Sequence, residues 1–227
     1  LIASCSINKT IPAKNRNQKS TLSENQNSIR PNQSINFKTA ADNSENYLPL
    51  LKDKKVGVVS NQTGVLSNNT HLVDFLVSNA IQVQKIFAPE HGFRGTADAG
   101  ELIIDGKDAK TGLPIISLYG ANKKPKPEQL EGIDILVFDI QDVGARFYTY
   151  ISSLHYVMEA CAELGIQVII LDRPNPNGHY IDGPVLELEH KSFVGMHKVP
   201  VVYGMTIGEY GQMINGEKWL KNGIQCD

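Results

Sequence analysis

Short apolar runs alternate with stretches of helical spacing along most of the chain. The apolar runs are almost continuous, as expected for parallel strands that are covered on both faces. They predict buried strands over Lys55–Ser60, Val83–Ala88, Pro114–Leu118, Ile133–Asp139 and Ile166–Leu171. The apolar residues at 199–202 predict a further short strand, and a small hairpin is expected around residues 102–104.

Other stretches between the runs have apolar residues at intervals of three and four, which is typical of amphipathic helices. They predict helices over Thr70–Asn79, Phe147–Leu164 and Thr206–Ile214, and a short one begun by proline over Pro127–Leu130. Strand–helix alternation with apolar strands predicts an α/β fold, namely a Rossmann-like, doubly wound, mainly parallel sheet.

Residues 1–46 have a different composition from the rest of the chain. They are rich in Asn, Gln, Ser and Lys and carry six Lys/Arg against three Asp/Glu. Such a segment buries too little apolar surface to offset its ordering entropy, so it is predicted to be a disordered tether. The predicted organisation is this tether over 1–46, a Rossmann-like catalytic domain over 47–205, and the truncated start of a C-terminal domain over 206–227.

The first five residues, Leu1-Ile2-Ala3-Ser4-Cys5, resemble the end of a bacterial lipoprotein signal. A lipidated Cys5 followed by a tether predicts a protein anchored in the periplasm or cell envelope, with a cysteine placed there by chance as the alternative. No apolar run approaches the roughly 18 residues of a membrane helix. The membrane is therefore a predicted partner only through the lipid anchor. Nucleic acid is excluded as a partner because no basic stripe is present.

Polar clusters follow four of the predicted strands at the point where each ends. The carboxyl ends of parallel strands meet at one edge of a sheet, where α/β proteins bind ligands. An Asp after a strand often only caps the next turn. The convergence of four clusters nevertheless predicts an active site. The clusters are Asn61–Gly64, Glu90-His91 with Arg94, Asp139–Arg146 and Asp172–Gly178.

Several chemistries are excluded by missing motifs. The chain has no G-x-G-x-x-G after its first strand, no nucleotide phosphate loop and no G-x-S-x-G elbow, so no cofactor is predicted. The histidines have no H-x-x-x-H spacing, although His91 with Asp139 or Asp142 could form a metal site. Carboxylate acid–base chemistry on a hydroxyl-rich substrate remains, and paired carboxyls, amides and arginines suit a sugar.

Four motifs in this order also match a known family. They are VVSNQTG at 58–64, APEHGFRG at 88–95, DIQDVGARFYTY at 139–150 and DRPNPNG at 172–178. From about Tyr47 onward the chain resembles the bacterial exo-β-N-acetylmuramidases, long known only as a domain of unknown function. The resemblance implies a Rossmann-like domain, a smaller C-terminal domain and a cleft between them. It also implies hydrolysis of terminal, non-reducing N-acetylmuramic acid from peptidoglycan fragments.

The glutamate of the family's motif falls on Glu90, which the resemblance makes the catalytic acid. Apolar surroundings near Phe93 would favour its protonated form. Asp142 or Asp139 is the predicted second carboxylate, acting as base or nucleophile.

The remaining site residues are predicted to bind the sugar. N-acetylmuramic acid carries a lactyl carboxylate, for which an arginine is the expected partner. The candidates for this contact are Arg94, Arg146 and Arg173. The other predicted substrate contacts are Asn61, Gln62, His91, Asp172 and Asn175.

Two alternatives remain open at this point. In the first, the protein binds cell-wall sugar without cleaving it, and Glu90 is fully exposed. In the second, the protein is a metal-dependent hydrolase that uses His91 with Asp139 or Asp142.

Overall fold

The computed structural model describes residues 38–90, 92–95 and 105–227. The predictions for Cys5, for the tether up to residue 37, for His91 and for a hairpin at 102–104 lie outside the described residues. Those described belong to one compact unit, Phe37–Asp227. No described helix is long and apolar enough to span a membrane.

Six strands are described, and they form one sheet. They are β1 (Lys55–Ser60), β2 (Gln82–Ala88), β3 (Gly106–Lys107), β4 (Pro114–Ser117), β5 (Ile135–Asp139) and β6 (Gln167–Ile170). The α-helices of the described residues are α1 (Ser44–Leu51), α2 (Leu72–Ser78), α3 (Pro127–Leu130), α4 (Tyr150–Leu164) and α5 (Ile207–Gly216). Short 3-10 turns lie at Ala40–Asp42, Leu188–His190 and Lys221–Gly223.

The strand order is β3-β4-β2-β1-β5-β6, and every neighbouring pair except β3 with β4 is parallel. The mainly parallel α/β sheet predicted from the sequence is confirmed. The chain runs outward from β1 through β2 to β4, and then returns to the other side of β1 with β5 and β6. The crevice at the carboxyl ends of β1 and β5, where the order reverses, is the position at which such sheets bind ligands.

The strands are continuously apolar because successive side chains enter two different cores. In β5, Ile135 and Val137 pack with the buried residues of α1 and α2. Leu136 and Phe138 pack with α3, α4 and α5 on the opposite face. The sheet is therefore covered by helices on both sides.

The folded part begins earlier than predicted. Thr39 precedes the turn at Ala40–Asp42, and its hydroxyl donates to Asp42 Oδ2 at 2.8 Å. The backbone N–H of Ala40 donates to the Asp172 carbonyl at 3.1 Å. These contacts correct the predicted start at Tyr47, which lies in the middle of α1.

Residues 206–227 pack in the same core as the preceding residues. Tyr210 and Ile214 on α5 are fully buried against α4, and the N–H of Val168 on β6 donates to the Asp227 carbonyl at 2.7 Å. The predicted boundary at 206 therefore does not divide the described structure. The strand predicted at 199–202 is reduced to single bridges from Val202 to Ala145 and Asp182.

A buried polar chain joins α4 to α5. His197 Nε2 lies 2.9 Å from His155 Nδ1, and His197 Nδ1 lies 3.0 Å from the Tyr210 hydroxyl. His155 Nε2 faces Glu159 at 3.6 Å, and the Trp219 ring stacks on His197. Burial lowers the pKa of both imidazoles, that of His197 to about 3. The folded protein therefore holds both histidines neutral.

We expect the free energy of unfolding to fall as the pH is lowered from about 6.5 towards 3. An unfolded histidine binds a proton near pH 6.5, whereas folded His197 does not, so unfolding takes up protons. His197 alone should lower the free energy of unfolding by about 2 kcal/mol between pH 7 and pH 5. Urea unfolding followed by the fluorescence of Trp219, the only tryptophan, measures this. His197→Gln should flatten the pH dependence, and the exposed His190→Gln should leave it unchanged. If the free energy of unfolding of His197→Gln depended on pH as steeply as that of the wild type, the pH dependence could not be assigned to His197.

Candidate active site

Glu90 and two neighbouring polar side chains, Tyr119 and Thr149, each follow a different strand of the sheet. Glu90 lies two residues beyond β2, Tyr119 two residues beyond β4, and Thr149 at the start of α4, which follows β5. The Thr149 hydroxyl donates to Glu90 Oε2 at 3.4 Å. The negative charge of Glu90 raises the pKa of Tyr119, which lines the same cleft. Glu90 is thus hydrogen-bonded to the Thr149 hydroxyl and lies near Tyr119.

Glu90 opens into a cleft of about 470 Å³. That volume is within the range of small-ligand sites. Glu90 is half-buried in it, neither sealed in the core nor fully exposed. Besides Glu90, the cleft is lined by Tyr119, Gly120, Lys123, Thr149, Ser192, Phe193 and Val194. We call this space the Glu90 cleft.

One wall of the Glu90 cleft belongs to the long loop that precedes α5. The Ser152 hydroxyl on α4 donates to the Phe193 carbonyl at 2.7 Å. The Tyr156 ring stacks nearly parallel to the Phe193 ring, with centroids 6.0 Å apart. Arg146 Nη1 donates to the carbonyls of Val199 at 2.5 Å and Pro184 at 2.9 Å. Arg146, predicted to bind substrate, therefore anchors the loop that forms this wall.

The buried Tyr150 at the start of α4 is influenced by the charges of both Glu90 and Asp142. The Tyr150 hydroxyl accepts a hydrogen bond of 3.0 Å from Asn61 Nδ2. Burial raises the pKa of Tyr150, and the negative charges of Glu90 and Asp142 raise it further. The negative charges of both carboxylates therefore raise the pKa of the same tyrosine hydroxyl.

Asp142 is buried at the end of β5. Its Oδ2 accepts hydrogen bonds from the Tyr203 hydroxyl and from the Gly144 N–H at 2.8 Å. Its Oδ1 has no hydrogen-bond partner among the described residues. Burial raises the pKa of Asp142, which favours the protonated carboxyl. Its role as second carboxylate stays a prediction.

Asp139 and Arg173 bind each other. Arg173 Nε lies 2.6 Å from Asp139 Oδ1, and Arg173 Nη2 lies 3.0 Å from Oδ2. Arg173 Nη2 also donates to the Val65 carbonyl at 3.0 Å. Asp139 is fully buried and Arg173 nearly so. The charges of both side chains are therefore engaged within the protein, and their predicted roles as second carboxylate and substrate ligand stay predictions.

Arg94 also has partners within the protein. It donates from Nε to Asp108 Oδ1 at 2.7 Å and from Nη2 to Asp74 Oδ1 at 2.9 Å. Its guanidinium holds the pKa of Asp108 well below the usual range of a carboxyl. Phe93 packs edge-on against the His71 ring in the core beside α2. These two residues therefore tie the loop after β2 to α2.

The two amides after β1 have different surroundings. Asn61 is fully buried, and its Oδ1 accepts from the Thr63 N–H at 2.9 Å while its Nδ2 donates to Tyr150. Asn61 therefore organises the crevice between β1 and β5. Gln62 is exposed beside Gly95, where an added Cβ would lie 2.9 Å from the Gln62 side chain.

Asp172 and Asn175 lie in a second cleft. Asp172 caps α5 by accepting from the Gly208 N–H at 2.8 Å and from the Thr206 hydroxyl at 2.7 Å. Asn175 Nδ2 donates to the Met205 carbonyl at 2.8 Å. With Arg173 they line a cleft of about 570 Å³ that does not include Glu90. Of the predicted site residues, Glu90 therefore lines one cleft and Asp172, Arg173 and Asn175 line another, whereas the other described ones line neither.

The side chains that could together bind a metal ion are not among those that line either cleft. Within the part of the chain that is described, the group of three or more such side chains is Glu187, Glu189 and His190, all exposed. It contains neither Asp139 nor Asp142. The predicted partner His91 lies outside the described residues.

Sequence reasoning missed most of the lining of the Glu90 cleft. Tyr119 and Lys123 follow β4, a strand whose carboxyl end was not included among the polar clusters. Thr149 lies inside the motif at 139–150 but was not singled out. Phe193 lies in an irregular loop, where no periodicity marks which side chains face inward.

Comparison with known proteins gives consistent matches. Residues 56–227 match the family described as exo-β-N-acetylmuramidase NamZ, N-terminal. The chain is 50% identical over 173 residues to the peptidoglycan β-N-acetylmuramidase NamZ of Bacillus subtilis strain 168, covering 75% of this chain and 42% of that protein.

Two crystal structures of DUF1343-family proteins from Bacteroides fragilis NCTC 9343 are also similar. One has a TM-score of 0.75 at 47% identity and covers 84% of this chain and 50% of its own. The other has a TM-score of 0.76 at 42% identity and covers 83% of this chain and 48% of its own. The chain thus spans about half the length of these relatives or less. It belongs to the exo-β-N-acetylmuramidase NamZ N-terminal family.

Proposed function

We propose that the protein hydrolyses the β-glycosidic bond of terminal, non-reducing N-acetylmuramic acid in peptidoglycan fragments, with Glu90 as general acid. The observation that carries the proposal is the position of Glu90. It is half-buried in a ligand-sized cleft and accepts a hydrogen bond from the Thr149 hydroxyl. The similarity to a protein named peptidoglycan β-N-acetylmuramidase supports the substrate class.

The proposed reaction breaks the bond between the anomeric carbon and the leaving oxygen. Glu90 donates its proton to that oxygen while positive charge develops on the sugar ring. Water then forms the new bond to the anomeric carbon, and the proton it releases restores the carboxyl group of Glu90. Asp142 is the second carboxyl group of the proposal, because Asp139 is bound to Arg173. Asp142 Oδ1 has no hydrogen-bond partner among the described residues, which supports this choice.

The contacts of Glu90 favour catalysis over sugar binding alone. Carboxyl groups also bind sugar hydroxyls, so the orientation of Glu90 is the feature that separates the two functions. Here the Thr149 hydroxyl donates to the Glu90 carboxyl, which lines the cleft. Fixed orientation relative to the reacting bond is what a general acid requires.

The proposed function is tested by incubating the full-length protein with nitrophenyl β-N-acetylmuramide and with the matching glucosaminide, each with and without EDTA. We expect nitrophenol release from the muramide, at least about 100-fold slower release from the glucosaminide, and no effect of EDTA. Absence of release from the muramide, despite measurable binding, would leave a sugar-binding protein. Loss of release with EDTA would indicate the metal-dependent hydrolase instead.

A further inference from the structure

The Glu90 cleft contains a cation that sequence analysis did not single out. Lys123 lies on the segment between β4 and α3 and lines the cleft together with Glu90. Its neighbour Lys124 points elsewhere and binds Glu159 and Glu163, each at 2.8 Å. Among the described residues, no ion pair or hydrogen bond joins Lys123 to another side chain. Within this part of the chain, Lys123 therefore brings to the cleft a positive charge that no side chain binds directly.

Lys123 is held in place by an aromatic ring. Its Nζ lies 4.6 Å from the centroid of the Phe193 ring. Phe193 is fixed in turn by Ser152 and by the stacked Tyr156. A contact with a ring face positions an ammonium group without using its three N–H donors. The donors of Lys123 thus stay available to an anion in the cleft.

The predicted arginine partners of a substrate anion are all engaged within the protein. Arg173 binds Asp139, Arg94 binds Asp74 and Asp108, and Arg146 binds backbone carbonyls. None of the three lines the Glu90 cleft.

We propose that Lys123 binds the lactyl carboxylate of N-acetylmuramic acid and so sets the preference of the site for muramides over glucosaminides. The inference rests on the proposed function. The lactyl ether distinguishes the two sugars, and it adds one carboxylate and one methyl group. Lys123 matches the carboxylate, and the apolar side chains of Phe193 and Val194 beside it offer a surface for the methyl group.

The two charged groups enter one cleft from different elements of the fold. The lactyl ether and the scissile bond lie on different ring carbons, so the acid and the cation must come from different parts of the cleft. Glu90 follows β2, whereas Lys123 follows β4 on the segment that leads into α3. A sugar in the cleft can therefore present its anomeric oxygen to Glu90 and its lactyl group to Lys123.

The test compares Lys123→Gln and Lys123→Arg in the full-length protein on the muramide, the glucosaminide and a muramide whose lactyl carboxylate is converted to the neutral amide. In Lys123→Gln, we expect the ratio of kcat/KM for muramide over glucosaminide to fall about 10- to 100-fold, mostly through KM. On the amide substrate Lys123→Gln should cause no such loss, because the charge that Lys123 recognises is already absent. Lys123→Arg should retain most of the preference.

The exposed Lys126→Gln, on the same segment, is the matched control and should leave kcat/KM unchanged on each of the three substrates. An equal loss on all three substrates in Lys123→Gln would show a structural role and overturn the proposal, as would an unchanged ratio. If the wild-type protein cleaves no muramide, the proposed function fails separately. Calorimetric binding of N-acetylmuramic acid then decides on Lys123, since weaker binding in Lys123→Gln supports the contact and equal binding overturns it.

Discussion

Glu90→Gln is expected to lower kcat on a natural muramic acid disaccharide by about 1,000-fold or more. Glutamine keeps the size of the side chain and can still accept from the Thr149 hydroxyl, but its amide N–H groups are not acidic enough to transfer a proton to the leaving oxygen. General acids typically contribute about 100- to 10,000-fold to a rate. A sugar leaving group depends strongly on that proton, so the loss should lie at the upper end.

The leaving group provides the sharpest measurement. Nitrophenol leaves with little protonation, so Glu90→Gln should lose much less activity on the nitrophenyl muramide than on the disaccharide. The exposed Glu128→Gln is a control with the same chemical change outside the cleft. Retention of disaccharide turnover within about tenfold of wild type would reject Glu90 as the acid. An equal loss on both substrates would assign it a different role.

The sheet could be predicted from the sequence because its strands carry a strong local signal. Ile133–Asp139 and Lys55–Ser60 are apolar at nearly every position, since both faces of the sheet are covered. Helix α1 was missed because its segment is polar at the start and contains Pro49. Its stability comes from burying Tyr47 and Leu51 under the sheet, which the composition of the segment does not show.

The candidate site could be predicted only in part. The position of Glu90 at a strand end follows from local sequence, and so do the polar clusters at neighbouring strand ends. The pairing between charged side chains does not follow from local sequence. Arg94 binds Asp74 and Asp108, which are 20 and 14 residues away along the chain. Local sequence shows that charged groups converge, but only the structure shows which of them neutralise each other.

Asp139 and Arg173 show why this distinction has a physical basis. Opposite charges delivered to the ends of adjacent strands, β5 and β6, lie within reach of each other. Once buried, each needs the other, because an unpaired charge in the interior is strongly unfavourable. Residues that pair in this way stabilise the edge of the sheet. The open Glu90 cleft is lined instead by side chains with unused hydrogen-bond donors and acceptors.

Arg173→Met is accordingly expected to lower the free energy of unfolding by about 3–5 kcal/mol, because it leaves Asp139 buried without its partner. Urea unfolding followed by Trp219 fluorescence measures the loss. The double variant Asp139→Asn with Arg173→Met should recover part of it, since no charge is then left buried. Burial already raises the pKa of Asp139, so the difference in stability between Arg173→Met and the wild type should shrink as the pH falls and Asp139 is protonated. A loss below about 1 kcal/mol in Arg173→Met, with no recovery in the double variant, would show that the pair contributes little to the fold.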